Sequence, residues 1–354
     1  MKALIAMSGG VDSSVAASLT LQRGLECMGA TMRLYDKKDA ESSCCSLDDV
    51  EDARSVAHRL GMPYYVFNFT DAFEEKVIQK FICSYENGLT PNPCIDCNRF
   101  LKFEMLLQRA LVLGCDYVVT GHYARIVQDP ATGRFLLKKA VDTPKDQTYF
   151  LYSLTQEQLQ HTLFPLGELT KAEVRQIAQE QGFINARKRD SQDICFVPDG
   201  DYLAFLEAFT GKHYPEGDYL DLQGNTVGKH KGAVGYTLGQ RKGLGIAMGE
   251  PVYVCAKDMA ANTVTVGPND ALFRRTLLAN DWNWIAIPQL TEPIHVLAKA
   301  RSRMTEQSAW VYPEPNGYAR VEFDEPQRAI TPGQAIVLYD GDTVVGGGTI
   351  TEVR

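Results

Sequence analysis

Long hydrophobic runs are missing from this sequence of 354 residues. No stretch reaches the roughly 18 to 20 uncharged apolar residues that a membrane-spanning helix needs. Only five apolar residues follow Lys2 before Ser8, which is too short for the core of a secretory signal peptide. We therefore expect a cytoplasmic protein that does not associate with a membrane.

An excess of basic residues is also missing. The chain has 36 Lys and Arg residues against 44 Asp and Glu residues, which gives a net charge of −8. This balance argues against a general nucleic-acid coat protein, whose surface is basic. It leaves room for a local basic surface, and the basic residues do cluster. They cluster in the segments 171–189, 229–242, 274–275 and 299–303.

Disulfide and zinc frameworks are absent too. Nine cysteines are an odd number spread over a long chain, which does not indicate paired disulfides. One CxxC pair occurs, at Cys94 and Cys97, without the second pair that a structural zinc site requires. Four other cysteines stand in apolar-periodic segments and are predicted to be core residues. They are Cys27, Cys83, Cys115 and Cys255.

Strand and helix patterns alternate over the first part of the chain. This alternation is typical of βαβ units with a parallel sheet, in which ligands bind beyond the carboxyl ends of the strands. Three loops stand out there, at 8–13, 87–98 and 121–123. Strands are predicted at Lys2–Met7, Cys27–Leu34, Tyr64–Phe69 and Asp116–Thr120, and helices at Val11–Arg23, Ser46–Leu60, Ala72–Tyr85 and Phe100–Leu113.

The later part of the chain changes character twice. Residues 123–139 predict a hairpin, and residues 155–210 predict helices, with a capping box at Thr170 and Glu173. Glycine is frequent between 211 and 249, and the pattern is β only from about residue 276. We predict an α/β protein with three domains. They are an N-terminal parallel-sheet domain (1–205), a small glycine-rich middle domain (206–275) and a C-terminal β-barrel-like domain (276–354).

A glycine-containing loop, Met7–Ser14, joins the first predicted strand to the first predicted helix. Two glycines let backbone amides approach an anion, serines add hydroxyl donors, and a helix N-terminus favours phosphate. A plain strand-to-helix turn is the alternative. The loop is not a P-loop, because no lysine follows its glycines, and it lacks the third glycine of a dinucleotide fingerprint.

Two segments supply candidate reactive thiols. The prolines before Cys97 predict that it lies at or just before a helix N-terminus, a position that lowers a thiol pKa. Cys195 follows a basic run at 187–189, which could hold a thiolate or an RNA phosphate. A buried core position is the alternative for Cys195.

The loop sequence Ser-Gly-Gly-Val-Asp-Ser at 8–13 resembles the PP-loop of ATP pyrophosphatases, which activate a carbonyl oxygen as an adenylate. Together with Asn-Pro-Cys-Ile-Asp-Cys-Asn at 92–98 and Ser-Gln-Asp-Ile-Cys-Phe at 191–196, it resembles the tRNA-specific 2-thiouridylase family. Further matches follow in order along nearly the whole chain. They are TGHYA at 120–124, KDQTYFL at 145–151, GYTLGQRKG at 235–243 and TPGQ at 331–334.

The resemblance implies an ATP-dependent sulfurtransferase. Such an enzyme adenylates the C2 oxygen of the wobble uridine 34 in tRNAs for Lys, Glu and Gln, and sulfur from a cysteine persulfide then replaces that oxygen. The products are 2-thiouridine, AMP and pyrophosphate. The resemblance also implies ATP with magnesium, the tRNA anticodon loop as partner, and a cysteine desulfurase or sulfur-relay protein as donor.

Site residues follow from the same resemblance. It implies that Cys195 carries the persulfide and that Cys97 is the second catalytic thiol, with a transient disulfide bond between them. The implied ATP-binding residues are Ala6, Met7, Ser8, Gly9, Gly10, Val11, Asp12, Ser13, Met32 and Gly121. The implied tRNA-binding residues are Asn92, Pro93, Cys94, His122, Lys145, Asp146, Gln147, Arg301, Ser302 and Gln334.

Cys94 departs from the family pattern, because many relatives carry Asp there. With Cys97 and Cys195 it makes a set of three thiols, which suits a [4Fe–4S] cluster with one open iron as an alternative to the persulfide route. Cys44 and Cys45 lie in an acidic loop that disfavours a reactive thiol. Another PP-loop adenylating ligase and a non-catalytic redox or RNA-binding protein are the competing functions.

Overall fold

The computed structural model describes residues 1–35, 47–188, 194–197 and 200–354. Cys44, Cys45 and the first three residues of the Ser191–Phe196 motif (191–193) lie outside the described residues, as does the predicted helix start at Ser46.

The strands are numbered in chain order. They are β1 Lys2–Ala6, β2 Glu26–Arg33, β3 Tyr64–Asn68, β4 Tyr117–Val119, β5 Ala124–Gln128, β6 Phe135–Lys139, β7 Thr162–Leu163, β8 Gly217–Leu220, β9 Thr226–His230, β10 Tyr253–Asp258, β11 Thr263–Gly267, β12 Phe273–Trp284, β13 Ile294–Lys299, β14 Gln307–Pro313, β15 Ala319–Arg328, β16 Ala335–Asp340 and β17 Thr343–Val353.

The α-helices are numbered in the same way. They are α1 Val11–Gln22, α2 Leu47–Arg59, α3 Thr70–Phe73, α4 Gln79–Glu86, α5 Pro93–Asp96, α6 Leu106–Val112, α7 Thr148–Leu151, α8 Gln156–Gln160, α9 Lys171–Glu180 and α10 Tyr202–Thr210. Two π-helical segments, Glu74–Ile78 and Cys97–Met105, continue the helical runs that α3 and α5 begin. Within the described ranges, no helix has the length and apolar character that spanning a bilayer requires.

The N-terminal sheet is parallel, with the strand order β3-β2-β1-β4-β7. Alternate residues of β1 face opposite sides of it, so Leu4 joins one hydrophobic core while Ala3 and Ile5 join another. The strand order reverses at β1, since β2 lies on one side of it and β4 on the other. This reversal creates the crevice in which sheets of this kind bind ligands, and the predicted parallel sheet is confirmed.

The other two sheets are mixed or antiparallel. The middle sheet has the order β10-β11-β8-β9 around the buried Tyr219. In the last part of the chain, β12-β15-β14-β13-β16-β17 form an antiparallel sheet that closes into a barrel through pairing of β12 with β17. The predicted C-terminal barrel is therefore confirmed. We propose the division 1–205, 206–275 and 276–354 as three domains, because the parallel sheet lies in the first, the four-stranded sheet in the second and most of the barrel in the third. Strand β12 crosses the last boundary, since it begins at Phe273.

The hairpin β5–β6 adds a contact that the sequence pattern did not reveal. It lies within residues 1–205, yet β6 pairs with β17 of the barrel. Leu137 of β6, Tyr149 of α7 and Val337 of β16 belong to one buried cluster. The Tyr149 hydroxyl also donates to the backbone oxygen of Ala335 at 2.9 Å. The first and last parts of the chain thus share a core, which we call the joint core.

The cysteine predictions were partly wrong. Cys27 and Cys115 are buried, as predicted, and Cys255 is only partly buried. Cys83 is exposed, because α4 turns its Phe81, Ile82 and Tyr85 inward and Cys83 lies on the opposite side of the helical wheel. All the cysteines that the structure describes are thiols rather than disulfides.

Replacing Leu137 by Ala tests the joint core. The side chain is fully buried, so we expect the free energy of unfolding to fall by about 2 to 5 kcal/mol, from lost burial and a residual cavity. Val127→Ala on the neighbouring strand β5 is the matched control. Its side chain is 45% exposed, so the change should stay within about 0.5 kcal/mol. Urea denaturation measures both, and equal effects would contradict the joint core.

Candidate active site

The phosphate loop begins where β1 ends and runs into α1. Gly10 is the residue before the helix, and no side chain caps the first-turn amides. The Ser13 hydroxyl donates to the Gly10 carbonyl at 3.0 Å and accepts from the Ser8 amide at 3.2 Å. The loop is therefore folded on itself by its serines, while the amides of the helix N-terminus remain available to an anion.

Glycine is needed in this loop because of close packing. Gly9 has a φ of +71°, and a Cβ there would lie 2.3 Å from the backbone oxygen of Asp49. On the other side, the Asn185 amide nitrogen donates to the Gly9 carbonyl and to the Ser14 hydroxyl, both at 2.9 Å. The buried Asn185 Oδ1 has no hydrogen-bond partner within the described residues. Sequence reasoning missed Asn185, since no motif surrounds it.

Two other predicted nucleotide residues lie at neighbouring strand ends. Gly121 follows β4, and a Cβ on it would come within 2.7 Å of the backbone of Asp12 and Ser13. Met32 stands at the end of β2 and packs, like Ala6, on the hydrophobic cluster below the sheet. The structure thus brings Met32 and Gly121 to the edge of the sheet that carries the phosphate loop, as β2 and β4 flank β1.

The position predicted for Cys97 was wrong. The helix begins at Pro93, with Asn92 before it, so Cys94 lies in the first turn and Cys97 one turn later. Proline is suited to the first position of a helix, because the missing N–H has no helical partner there. Cys97 begins a π-helical segment, a deviation that often marks functional sites. Any activation of Cys97 must therefore come from more than a helix terminus.

The residues beside Cys97 are tied to three other parts of the molecule. Asp96 accepts from Lys80 of α4 at 2.6 Å, Asn98 donates to the Phe150 carbonyl at 3.0 Å, and Arg99 binds the Asp281 carboxylate through two nitrogens at 2.5 and 3.1 Å. Burial raises the pKa of Asp96, although the Lys80 ammonium opposes the shift. These contacts fix the backbone around Cys97.

Cys195 is placed by the aromatic residue that follows it. Phe196 is buried and packs edge-on against Phe73 and Phe81, with ring centroids 5.7 and 5.2 Å away. Cys97 and Cys195 are both half-buried, and both pack on this same hydrophobic cluster. Two thiols that are far apart in the sequence therefore border one hydrophobic core, which Ala6 and Met32 also border.

The three-thiol set does not form a metal site as placed. Among the described residues, which include Cys94, Cys97 and Cys195, no three His, Cys, Asp or Glu side chains are arranged to hold a metal ion. Cys94 is exposed, whereas the other two thiols are half-buried. The arrangement does not fit a preformed [4Fe–4S] cluster.

Several predicted tRNA-binding residues use their side chains inside the protein. Asp146 accepts from the Ala140 amide at 3.0 Å and from the Thr148 hydroxyl at 2.6 Å, and burial raises its pKa. Gln147 accepts from the Tyr123 amide at 2.9 Å. Their neighbour Lys145, at the end of a short 3-10 turn, is half-buried. Through Gln147, this segment therefore holds the backbone of Tyr123, two residues after Gly121.

The predicted C-terminal contacts also make internal bonds. The Gln334 amide donates to the Thr90 carbonyl at 2.8 Å, so it holds the segment that leads into α5. Arg301 donates to the Leu238 carbonyl at 2.9 Å and to the Thr331 hydroxyl, so it joins the loop before β10 to the loop before β16. Burial lowers the pKa of Arg301. Its neighbour Ser302 is partly exposed.

Three family models match consecutive parts of the chain. The model described as tRNA methyl transferase HUP domain matches residues 1–199, the tRNA methyl transferase PRC-barrel domain matches 203–268, and the aminomethyltransferase beta-barrel domain matches 274–350. Together the three matches span the chain in the order of its three sheets.

Two curated proteins are similar to this chain over its full length. The tRNA-specific 2-thiouridylase MnmA of Acetivibrio thermocellus is 53% identical over 354 residues, covering 99% of each chain. The protein of the same name from Clostridioides difficile is 51% identical over 352 residues, covering 99% of this chain and 98% of that one. A solved 4-thiouridine synthetase–RNA complex with bound ATP is 21% identical, covers 55% of this chain and 44% of that chain, and has a TM-score of 0.39, too low to support a functional inference.

His122 predicts a pH dependence of stability. Its Nδ1 lies 2.6 Å from the Thr120 hydroxyl, the rings of Phe103 and Phe164 pack against it, and burial lowers its pKa well below 6.5. Below about pH 6.5 the imidazole of His122 binds a proton in the unfolded chain but stays neutral in the folded one. The free energy of unfolding therefore falls as the pH falls, by up to about 1.4 kcal/mol per pH unit.

The substitution His122→Gln should remove that part of the acid sensitivity. Urea midpoints measured between about pH 7.5 and about pH 5 would show it as a shallower slope for the variant. His58→Gln, at an exposed side chain of α2, is the control and should keep the slope of the unsubstituted protein. An unchanged slope in His122→Gln would contradict the assignment.

Proposed function

The chain belongs to the tRNA-specific 2-thiouridylase family, and we propose that it replaces the C2 oxygen of the wobble uridine 34 in tRNA with sulfur, using ATP. The observation that carries the proposal is the shared position of two half-buried thiols. Cys97 and Cys195 pack on the cluster that Ala6 and Met32 border. The two thiols therefore border the same hydrophobic core as residues of β1 and β2, and the phosphate loop begins where β1 ends.

The first half of the reaction activates an oxygen that is a poor leaving group. The C2 oxygen of the uridine attacks the α-phosphorus of ATP, the bond to the β-phosphate breaks, and pyrophosphate leaves. The first-turn amides of α1 and the Ser8 hydroxyl are the donors suited to the phosphates, since the Ser13 hydroxyl already donates to the Gly10 carbonyl. Magnesium, which we expect with ATP, supplies charge neutralisation of those phosphates when bound.

The second half transfers sulfur. The terminal sulfur of a persulfide on Cys195 attacks C2, a carbon–sulfur bond forms, and AMP leaves. The Cys97 thiolate then attacks the Cys195 sulfur, which breaks the sulfur–sulfur bond of the persulfide and leaves the new sulfur on the base. Two thiols end as a Cys97–Cys195 disulfide, so an external thiol must reduce it before the next cycle.

The partners follow from this chemistry. The wobble base lies in the anticodon loop and must turn out of its stack to reach a thiol; tRNAs for Lys, Glu and Gln are the expected substrates. Asn92, Pro93 and Cys94 begin the helix that carries Cys97 and are proposed to border the base. A cysteine desulfurase or sulfur-relay protein supplies the persulfide, and we propose that the enzyme works in the cytoplasm.

Separate Cys195→Ser and Cys97→Ser substitutions should each reduce formation of 2-thiouridine by at least about 100-fold, because each removes a required nucleophile. The assay is mass analysis of tRNA nucleosides after incubation with ATP, magnesium and a persulfide donor. Cys83→Ser, at an exposed thiol of α4, is the control and should keep full activity. Full thiolation by the Cys195 variant would disprove its role.

The substitution Cys94→Ala separates the persulfide route from an iron–sulfur route. We expect at least about half of the activity to remain, because the persulfide route needs two thiols and the exposed Cys94 forms no metal-holding group with them. Iron and sulfide analysis of anaerobically purified protein accompanies the assay. A stoichiometric cluster that disappears together with activity in this variant would contradict the persulfide route.

A further inference from the structure

The phosphate loop does not contain the cation that its chemistry requires. Residues 7–14 include no Lys or Arg, and a helix N-terminus supplies only about half an elementary charge. The triphosphate of ATP is multiply negative, and the departing pyrophosphate must be stabilised where its charge develops. A cation from elsewhere in the chain would complete the loop.

Lys171 is held at the loop by Asp12. Its Nζ lies 2.8 Å from both carboxylate oxygens of Asp12, which is in the first turn of α1. The Tyr123 hydroxyl donates to Asp12 Oδ1 at 2.9 Å. The Lys171 side chain is only 12% exposed and the Asp12 side chain 31%, so the ammonium is largely removed from water beside the loop.

The backbone position of Lys171 is fixed by the local structure at the start of α9. Lys171 is the first residue of α9, directly after the Thr170 cap, whose hydroxyl and backbone amide form a reciprocal capping box with Glu173. The Lys171 amide donates to the Asp142 carboxylate at 2.7 Å. Because the backbone is held and the four-carbon stem is flexible, the ammonium can move by rotation of the side chain alone.

We propose that Lys171 binds the β- and γ-phosphates of ATP, moving from the Asp12 carboxylate to the nucleotide when ATP enters. This assignment rests on the proposed use of ATP. Asp12 holds the ammonium beside the loop while the site is empty of nucleotide, and the more highly charged triphosphate competes for it. The same contact stabilises the leaving pyrophosphate, so Lys171 supplies the charge that a P-loop obtains from its own lysine.

Nucleotide binding by Lys171→Met tests the assignment. The dissociation constant for ATP should rise at least about tenfold, as expected when a charge-assisted hydrogen bond is lost. The dissociation constant for AMP, which lacks the β- and γ-phosphates, should stay within about twofold. Lys171→Arg should retain most ATP affinity, because it keeps a charged donor, and it preserves the test if the Met variant does not fold.

Lys139→Met is the matched control. Lys139 pairs with Glu306 at 2.6 Å, and both side chains are 19% exposed, but the pair lies at the barrel sheet. If Lys171 served folding only, both Met variants would lower stability and neither would weaken ATP relative to AMP. Equal loss of ATP and AMP affinity in Lys171→Met would likewise overturn the assignment.

The substitution Asp12→Asn distinguishes a role of the Lys171 ammonium itself from a role of its ion pair with Asp12. In magnesium-free buffer this variant should bind ATP at least as tightly as the unsubstituted protein, because Lys171 no longer has a competing carboxylate. Binding as weak as that of Lys171→Met would overturn the proposal, since the intact pair would then be what matters. Failure of the unsubstituted protein to bind ATP would instead contradict the proposed function, so the two failures are distinguishable.

Discussion

The backbone of Gly121 lies directly against the loop that follows β1, and the arrangement of the active site depends on this contact. A single added Cβ would stand 2.7 Å from the backbone of Asp12 and Ser13, so the approach is open to glycine alone. The contact arises because β1 and β4 are parallel neighbours whose carboxyl ends meet at the same edge of the sheet. It sets Tyr123, and through Asp12 also Lys171, beside the first turn of α1.

The barrel contributes to the site by positioning rather than by chemistry. Gln334 holds the Thr90 carbonyl just before α5, and Asp281 holds Arg99 just after Cys97. Both ends of the thiol-bearing segment are therefore tied to the last part of the chain. The bond from Gln334 joins two uncharged groups and contributes about 0.5 to 1.5 kcal/mol. The Arg99–Asp281 pair, whose side chains are 35% and 47% exposed, contributes at most about 1 kcal/mol. Both act on the position of the thiol without touching the substrate.

Much of the architecture could be predicted from local patterns. Alternating apolar runs and helical spacing predicted the parallel sheet, and the capping box at Thr170 and Glu173 is present as expected. The error at Cys97 came from treating Pro93 as a break, although proline also starts helices. The error at Cys83 came from counting apolar neighbours without assigning each one a face of α4.

The sequence by itself determined most helices and strands, the phosphate loop and the family, because each depends on residues that are close together in the chain. Only the tertiary structure decided that Gln147 and Gln334 make internal bonds, that β6 joins the barrel, and that Lys171 reaches Asp12. The physical reason is distance along the chain. These pairings join segments that no local period relates, so they exist only once the sheets and helices have packed.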